Sequence, residues 1–161
     1  MTDRAARTLA ACRARDQRVA TAESCTGGLV SAALTSVPGS SDVVTCGFVT
    51  YSNGAKVQML GVGRATLDRH GAVSNEVAAE MAAGAVAASD AHIAVAITGI
   101  AGPGGSEAKP EGRVCFALAI RGGDVATLTR DFGALGRHGV RAASAALALR
   151  ALEDGGFAAL A

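Results

Sequence analysis

Strand-like and helix-like segments alternate along this chain, and the alternation predicts an α/β fold: a three-layer α/β/α sandwich with a mixed, mostly parallel sheet and one β-hairpin. Two further observations support it. Residues 92–98, HIAVAIT, form a nearly uninterrupted apolar run, as expected of a strand at the centre of a sheet covered on both faces. Residues 113–121 and 125–132 flank Gly122-Gly123-Asp124, the chemistry of a tight hairpin turn.

From residue 2 to about 15, Ala, Leu and Arg recur at helical spacing. Residues 18–23 read as the first strand and 28–36 as the helix after it, which the turn cluster Val37-Pro38-Gly39-Ser40-Ser41 ends. Residues 43–51, VVTCGFVTY, carry the β-branched and aromatic side chains of a second strand. Ser52-Asn53-Gly54 reads as its stop, and residues 55–60 as a short helix bearing Lys56. Glycines at 61 and 63 break the chain before a short helical piece at 64–70. Ser74 is the expected N-cap of an Ala-rich helix from 75 to about 89. The central strand follows, then a glycine- and proline-rich loop at 99–112, GIAGPGGSEAKPEG. After the hairpin an amphipathic helix over 137–153, with Val140, Ala143, Leu147 and Leu149 apolar, closes the chain.

At 161 residues the chain reads as one domain able to bury a real core. Its 15 basic and 14 acidic residues leave a net charge of +1, so no basic excess points to nucleic acid or a membrane surface. Aromatic residues, at 3%, supply no stacking platform for bases. No apolar run reaches the roughly 20 residues of a membrane span, and the first residues, MTDRAARTLAACRARDQ, lack the apolar core of a signal peptide; the expectation is a cytoplasmic protein. Cys12, Cys25, Cys46 and Cys115 show neither C-x-x-C spacing nor paired His ligands, so they read as free thiols, with no metal or cofactor expected. The small side chains of the helix from 75 to 89 could pack closely against a second copy, giving a homo-oligomer.

Chemistry is expected where strands of an open α/β sheet end. Three polar clusters fall there: Glu23-Ser24-Cys25-Thr26, then Tyr51-Ser52-Asn53 with Lys56, then Thr98-Gly99. A Ser or Thr before a helix is often only an N-cap, and a lone Lys after a strand is often only a surface charge. Together, however, the clusters hold the parts of an acyl-transfer site. Ser24 would attack a carbonyl, a desolvated Lys56 would accept its proton, and Tyr51 would relay that proton or orient the substrate. Backbone N–H groups around Thr26, Gly27 and Gly28, at a helix N-terminus, would hold the oxyanion. Cys25 is an alternative nucleophile, since a helix N-terminus lowers a thiol pKa. Alternation along a strand end should let only one of Ser24 and Cys25 face the site. His70, His92 and His138 offer no Ser/His/Asp set, and no G-x-G-x-x-G follows the first strand to suggest a dinucleotide fold.

Four blocks, TAESCTGGLVSAALTSVPGSSDVV, FVTYSNGAKVQMLGV, HGAVSNEVAAEMAAGA and AITGIAGPGGSEAKPEGRV, resemble the CinA C-terminal domain family over roughly residues 5–152, and the whole of 1–161 reads as one such domain. The resemblance implies an amidohydrolase that converts nicotinamide mononucleotide and water to nicotinate mononucleotide and ammonia, with a small-molecule pyridine mononucleotide as its partner. It assigns Ser24 as nucleophile, Lys56 as base and Tyr51 as its assistant, with Thr98 and Gly99 shaping the pocket; Asn53, from the second polar cluster, is a further candidate for substrate binding. Arg137 and Arg141 are its candidates for the phosphate. The chain departs from the family pattern at Cys46, where glycine is common, at Glu111, where a small apolar residue is common, and at Gly136, where an acidic residue commonly precedes the arginine. The alternative of another class is a non-catalytic nucleotide-binding or regulatory module of the same fold.

Overall fold

A computed structural model describes residues 1–106 and 108–158; Glu107, within the expected glycine-rich loop, and residues 159–161 lie outside the described residues. The elements run α1 (Thr2–Ala14), β1 (Val19–Glu23), α2 (Leu29–Thr35), a single 3-10 turn (Ser40–Asp42), β2 (Val44–Val49), α3 (Asn53–Leu60), α4 (Arg64–His70), α5 (Asn75–Ala87), β3 (Ile93–Gly99), β4 (Arg113–Ile120), β5 (Val125–Asp131) and α6 (Gly136–Asp154). The five strands form one sheet in the order β2-β1-β3-β4-β5. β1 lies parallel to both β2 and β3, while β4 runs antiparallel to β3 and to β5, its hairpin partner. The expected mixed α/β sheet with one hairpin is therefore the observed one. Among the described residues no helix is long and apolar enough to cross a membrane.

Boundaries moved where capping chemistry decided them. Ser52, Asn53 and Gly54 do not merely stop β2: the Ser52 hydroxyl accepts the Ala55 N–H at 3.1 Å, so Asn53 and Gly54 become the first turn of α3. α2 begins after Gly28, which sits at φ +96°, rather than at it. Ser74 caps α5 as expected, accepting from the Val77 N–H at 3.2 Å.

Period-two alternation gives the two sheet faces different side chains. Ile93, Val95 and Ile97 of β3 and Val114, Phe116 and Leu118 of β4 pack under α1, α2 and α6. The opposite face is nearly all alanine. Ala20, Ala94 and Ala119 stand side by side across β1, β3 and β4, and Ala22, Ala96 and Ala117 form the next row. Against these short side chains α5 lays Val77, Ala78, Met81, Ala82 and Ala85, all fully buried. Of the small side chains expected to meet a second copy, some are used inside the chain, while Ala83 and Ala87 stay exposed. The small residues of α5 at 78, 82 and 85 face the chain's own sheet.

The same close packing draws α3 inward. A Cβ at Gly84 of α5 would lie 1.9 Å from the carbonyl oxygen of Leu60, the last residue of α3. Gly84→Ala is expected to lower stability by about 1–3 kcal/mol even though alanine is the better helix former. Thermal unfolding reads this as a lower Tm; an equal or higher Tm would show that α3 and α5 can move apart freely.

Candidate active site

Because β1, β2 and β3 are parallel, their C-terminal ends meet at one edge of the sheet. Each ladder continues one residue past its strand: the Ser24 N–H donates to Ile97 O at 2.9 Å, and the Thr50 N–H donates to Glu23 O at 2.9 Å. Ser24 O in turn accepts the Gly27 N–H at 3.0 Å, so the backbone on both sides of the serine is held. Lys56, on the first turns of α3, reaches back under this edge. Its Nζ lies 3.0 Å from Ser24 Oγ and 2.7 Å from Thr50 O. The side chain is only 1% exposed, and burial lowers the pKa of its ammonium. Nζ donates to both the serine hydroxyl and the Thr50 carbonyl.

A cavity of about 250 Å³ opens on this pair. Tyr51, Asn53, Thr98, Gly99 and Arg137 line it with Ser24 and Lys56, and Ala72, Val73 and Ala101 give it an apolar wall. Gly99 is required by close approach: a Cβ there would meet Val114 Cγ2 at 2.7 Å and Arg113 O at 2.9 Å. Among the described residues no group of three or more His, Cys, Asp or Glu side chains gathers to hold a metal.

Four sequence-derived roles change. First, the amides of Gly27 and Gly28 do not face a ligand. Gly27 donates to Ser24 O, and Gly28 donates to Glu23 Oε2 at 3.0 Å. Second, Thr26 and Arg141 do not line the cavity. Thr26 is fully buried, and its carbonyl accepts from the Arg141 guanidinium at 3.0 Å, so Arg141 braces the turn from α6. Third, the Tyr51 side chain is 58% exposed and its hydroxyl accepts from Arg137 at 2.7 Å, which does not fit a proton relay at the buried amine. Arg137 also donates to Gly102 O at 3.1 Å, joining three segments at the cavity mouth. Fourth, Ser24 and Cys25 both line the cavity, because β1 ends at Glu23 and strand alternation no longer governs the next two residues. Helix position does not activate Cys25. Burial pushes its thiol up to about 12, outweighing the lowering by nearby amides and Lys56.

The sequence reading placed Glu23 in the first polar cluster but gave it no role. Its buried carboxylate accepts from the N–H groups of Gly28, Val30 and Ser31 at 3.0, 3.1 and 2.9 Å and from the Ser31 hydroxyl at 3.0 Å. The anion at the N-terminus of α2 is thus the protein's own. The available signal was an acidic residue at the end of an apolar strand, a few residues before a helix start.

A family profile described as the CinA C-terminal domain matches residues 1–155. The chain is 52% identical over 143 residues to nicotinamide-nucleotide amidohydrolase PncC of Escherichia coli strain K12, covering 88% of this chain and 86% of that protein. It is 58% identical over 117 residues to a CinA-like protein of Chlorobium phaeobacteroides, covering 71% of this chain and 28% of that protein. It spans 32% of a CinA-like protein of Mycobacterium marinum to which it is 51% identical, so these longer relatives exceed it about threefold. The crystal structure of competence/damage inducible protein CihA from Agrobacterium tumefaciens superposes with a TM-score of 0.90 at 49% identity, covering 94% of this chain and 92% of that one.

With its pKa at about 12, the Cys25 thiol is about one part in ten thousand thiolate at pH 8. Iodoacetamide on the folded protein should therefore label half-buried Cys46 well before Cys25, with the site read by peptide mass spectrometry. Rapid labelling of Cys25 would restore it as a nucleophile.

Proposed function

The chain belongs to the CinA C-terminal domain family, and on that premise we propose that it hydrolyses the carboxamide of nicotinamide mononucleotide to nicotinate mononucleotide and ammonia. The observation that carries the reading is the buried contact of 3.0 Å between Lys56 Nζ and Ser24 Oγ at the cavity. It is supported further by the PncC relative, which matches over most of both chains.

In the proposed reaction Ser24 Oγ bonds to the amide carbon as its proton passes to the neutral Lys56 amine. We assign the oxyanion to the amide of Cys25, the cavity-lining residue next to Ser24, since those of Gly27 and Gly28 are already engaged. The tetrahedral intermediate collapses, the C–N bond breaks, and the Lys56 proton leaves with ammonia. Water, deprotonated by the same amine, then cleaves the acyl–serine ester and regenerates Ser24. Arg137 supplies the cation for the phosphate at the cavity mouth, with Tyr51 orienting its guanidinium. The apolar Ala72, Val73 and Ala101 accept the pyridine ring. Four free thiols suit a reducing cytoplasm, where we place the reaction.

Ser24→Ala and Lys56→Met are each expected to fold normally by circular dichroism and to lower ammonia release from nicotinamide mononucleotide by about a thousandfold or more. Wild-type turnover in Ser24→Ala would overturn the reading. The pH dependence has a definite sign. The active form of Lys56 is the neutral amine, and burial favours that form. Hence kcat/KM should rise with pH and level off below the ordinary lysine pKa of about 10.4. A profile that falls as pH rises through the same range would exclude Lys56 as the base.

A further inference from the structure

The link between α4 and α5 forms one wall of the cavity through Ala72 and Val73, yet it belongs to no helix or strand. Its carbonyls are held by side chains. Gly71 O accepts the Ser74 hydroxyl at 2.9 Å, and Ala72 O accepts the Thr98 hydroxyl at 2.7 Å. His70 O accepts Lys109 Nζ at 2.8 Å, and Val73 O accepts the same ammonium. Thus one cation, arriving from the glycine-rich loop 39 and 36 residues away in sequence, clamps both ends of the wall. His70 closes α4, so the charge also sits at the negative end of that helix.

Lys109 is itself held. The Ser106 N–H donates to Lys109 O at 2.9 Å, and the Lys109 N–H donates to the Ser106 hydroxyl at 3.2 Å, tying the Lys109 backbone to Ser106. Upstream in the same loop lies Ala101, which lines the cavity opposite no regular element of its own. Therefore we propose that Lys109 is a positioning residue for substrate binding, its ammonium setting the spacing between the 72–73 wall and the loop that carries Ala101. The proposal rests on the amidase reading for the identity of the substrate, and on the hydrogen bonds alone for the clamp. Ser24 and Lys56 hang on the ends of β1 and β2 and on α3, and their bonds run to one another and to Thr50 rather than to the clamped link. Losing the clamp should loosen the fit of the substrate while leaving the reacting pair in place.

The test compares full-length wild type, Lys109→Met and Lys109→Arg by steady-state kinetics on nicotinamide mononucleotide and by amide hydrogen exchange. Lys109→Met should raise KM by about tenfold with kcat changed by less than about twofold, the pattern of lost binding without lost chemistry. Exchange over residues 71–74 should quicken while that of β1, β3 and α5 stays the same. Lys109→Arg, which keeps a cation able to reach two carbonyls, should restore most of the KM. An unmoved KM with unmoved exchange at 71–74 would overturn the clamp, as would a joint loss of kcat and of protection throughout the sheet. A wild-type protein that releases no ammonia would instead defeat the amidase reading, and the exchange at 71–74 would then decide the clamp by itself, quickening in its favour and constancy against it.

Discussion

The carboxylate of Glu23 is completely buried, and it is surrounded by donors: the amides of Gly28, Val30 and Ser31 at the start of α2 and the Ser31 hydroxyl. An ionised carboxylate left unpaired in such a place would cost several kcal/mol. Here the orphan N–H groups and the positive end of the α2 dipole stabilise it, and it satisfies them. The side chain therefore locks the end of β1 to the beginning of α2, and the intervening residues have little choice but to form the tight turn with Gly27 and Gly28 at positive φ. The Glu23 backbone completes the arrangement, since its carbonyl accepts the Thr50 N–H and so fixes the carbonyl to which Lys56 donates. Ser24 and Lys56 are both positioned from one residue.

That Lys56 can lie beside Ser24 without solvent depends on how tightly the layer behind it packs. Rows of alanine across β1, β3 and β4 let α5 settle close to the sheet, and Gly84 lets the end of α3 settle onto α5. The lysine stem is consequently enclosed, and this desolvation lowers the pKa of its ammonium. This is a stability sacrifice at the site: burial that lowers the lysine pKa is unfavourable to the charged form, and the surrounding core has to offset it.

The cavity walls follow a different logic. The Ser24–Lys56 pair is tied to strand ends and a helix, where backbone bonds are continuous, whereas the apolar wall at 72–73 is irregular chain held by the side chains of Ser74, Thr98 and Lys109. Arg137, bonded to Tyr51 and Gly102 O, spans the mouth between them.

Much of this was legible in the residues alone. Apolar runs, glycine turns and helical spacing determined the elements and the mixed sheet, because those signals act over a few neighbouring residues. The polar clusters after the first, second and third strands marked the edge where Ser24, Lys56 and Thr98 come together, since parallel strands must end on the same side. Donor direction was not legible. Gly27 and Gly28 looked open to a ligand because nothing local says that Glu23 folds back onto their helix. Arg141 and Arg137 looked equivalent, although one turns inward to Thr26 and the other outward to Tyr51. Lys109 carried no assigned role, because its partners lie far away in the chain. The sequence by itself determined which chemical groups stand at the sheet edge. Only the tertiary structure decided which of their donors are already satisfied within the protein, because hydrogen-bond partners remote in sequence are chosen by packing rather than by local pattern.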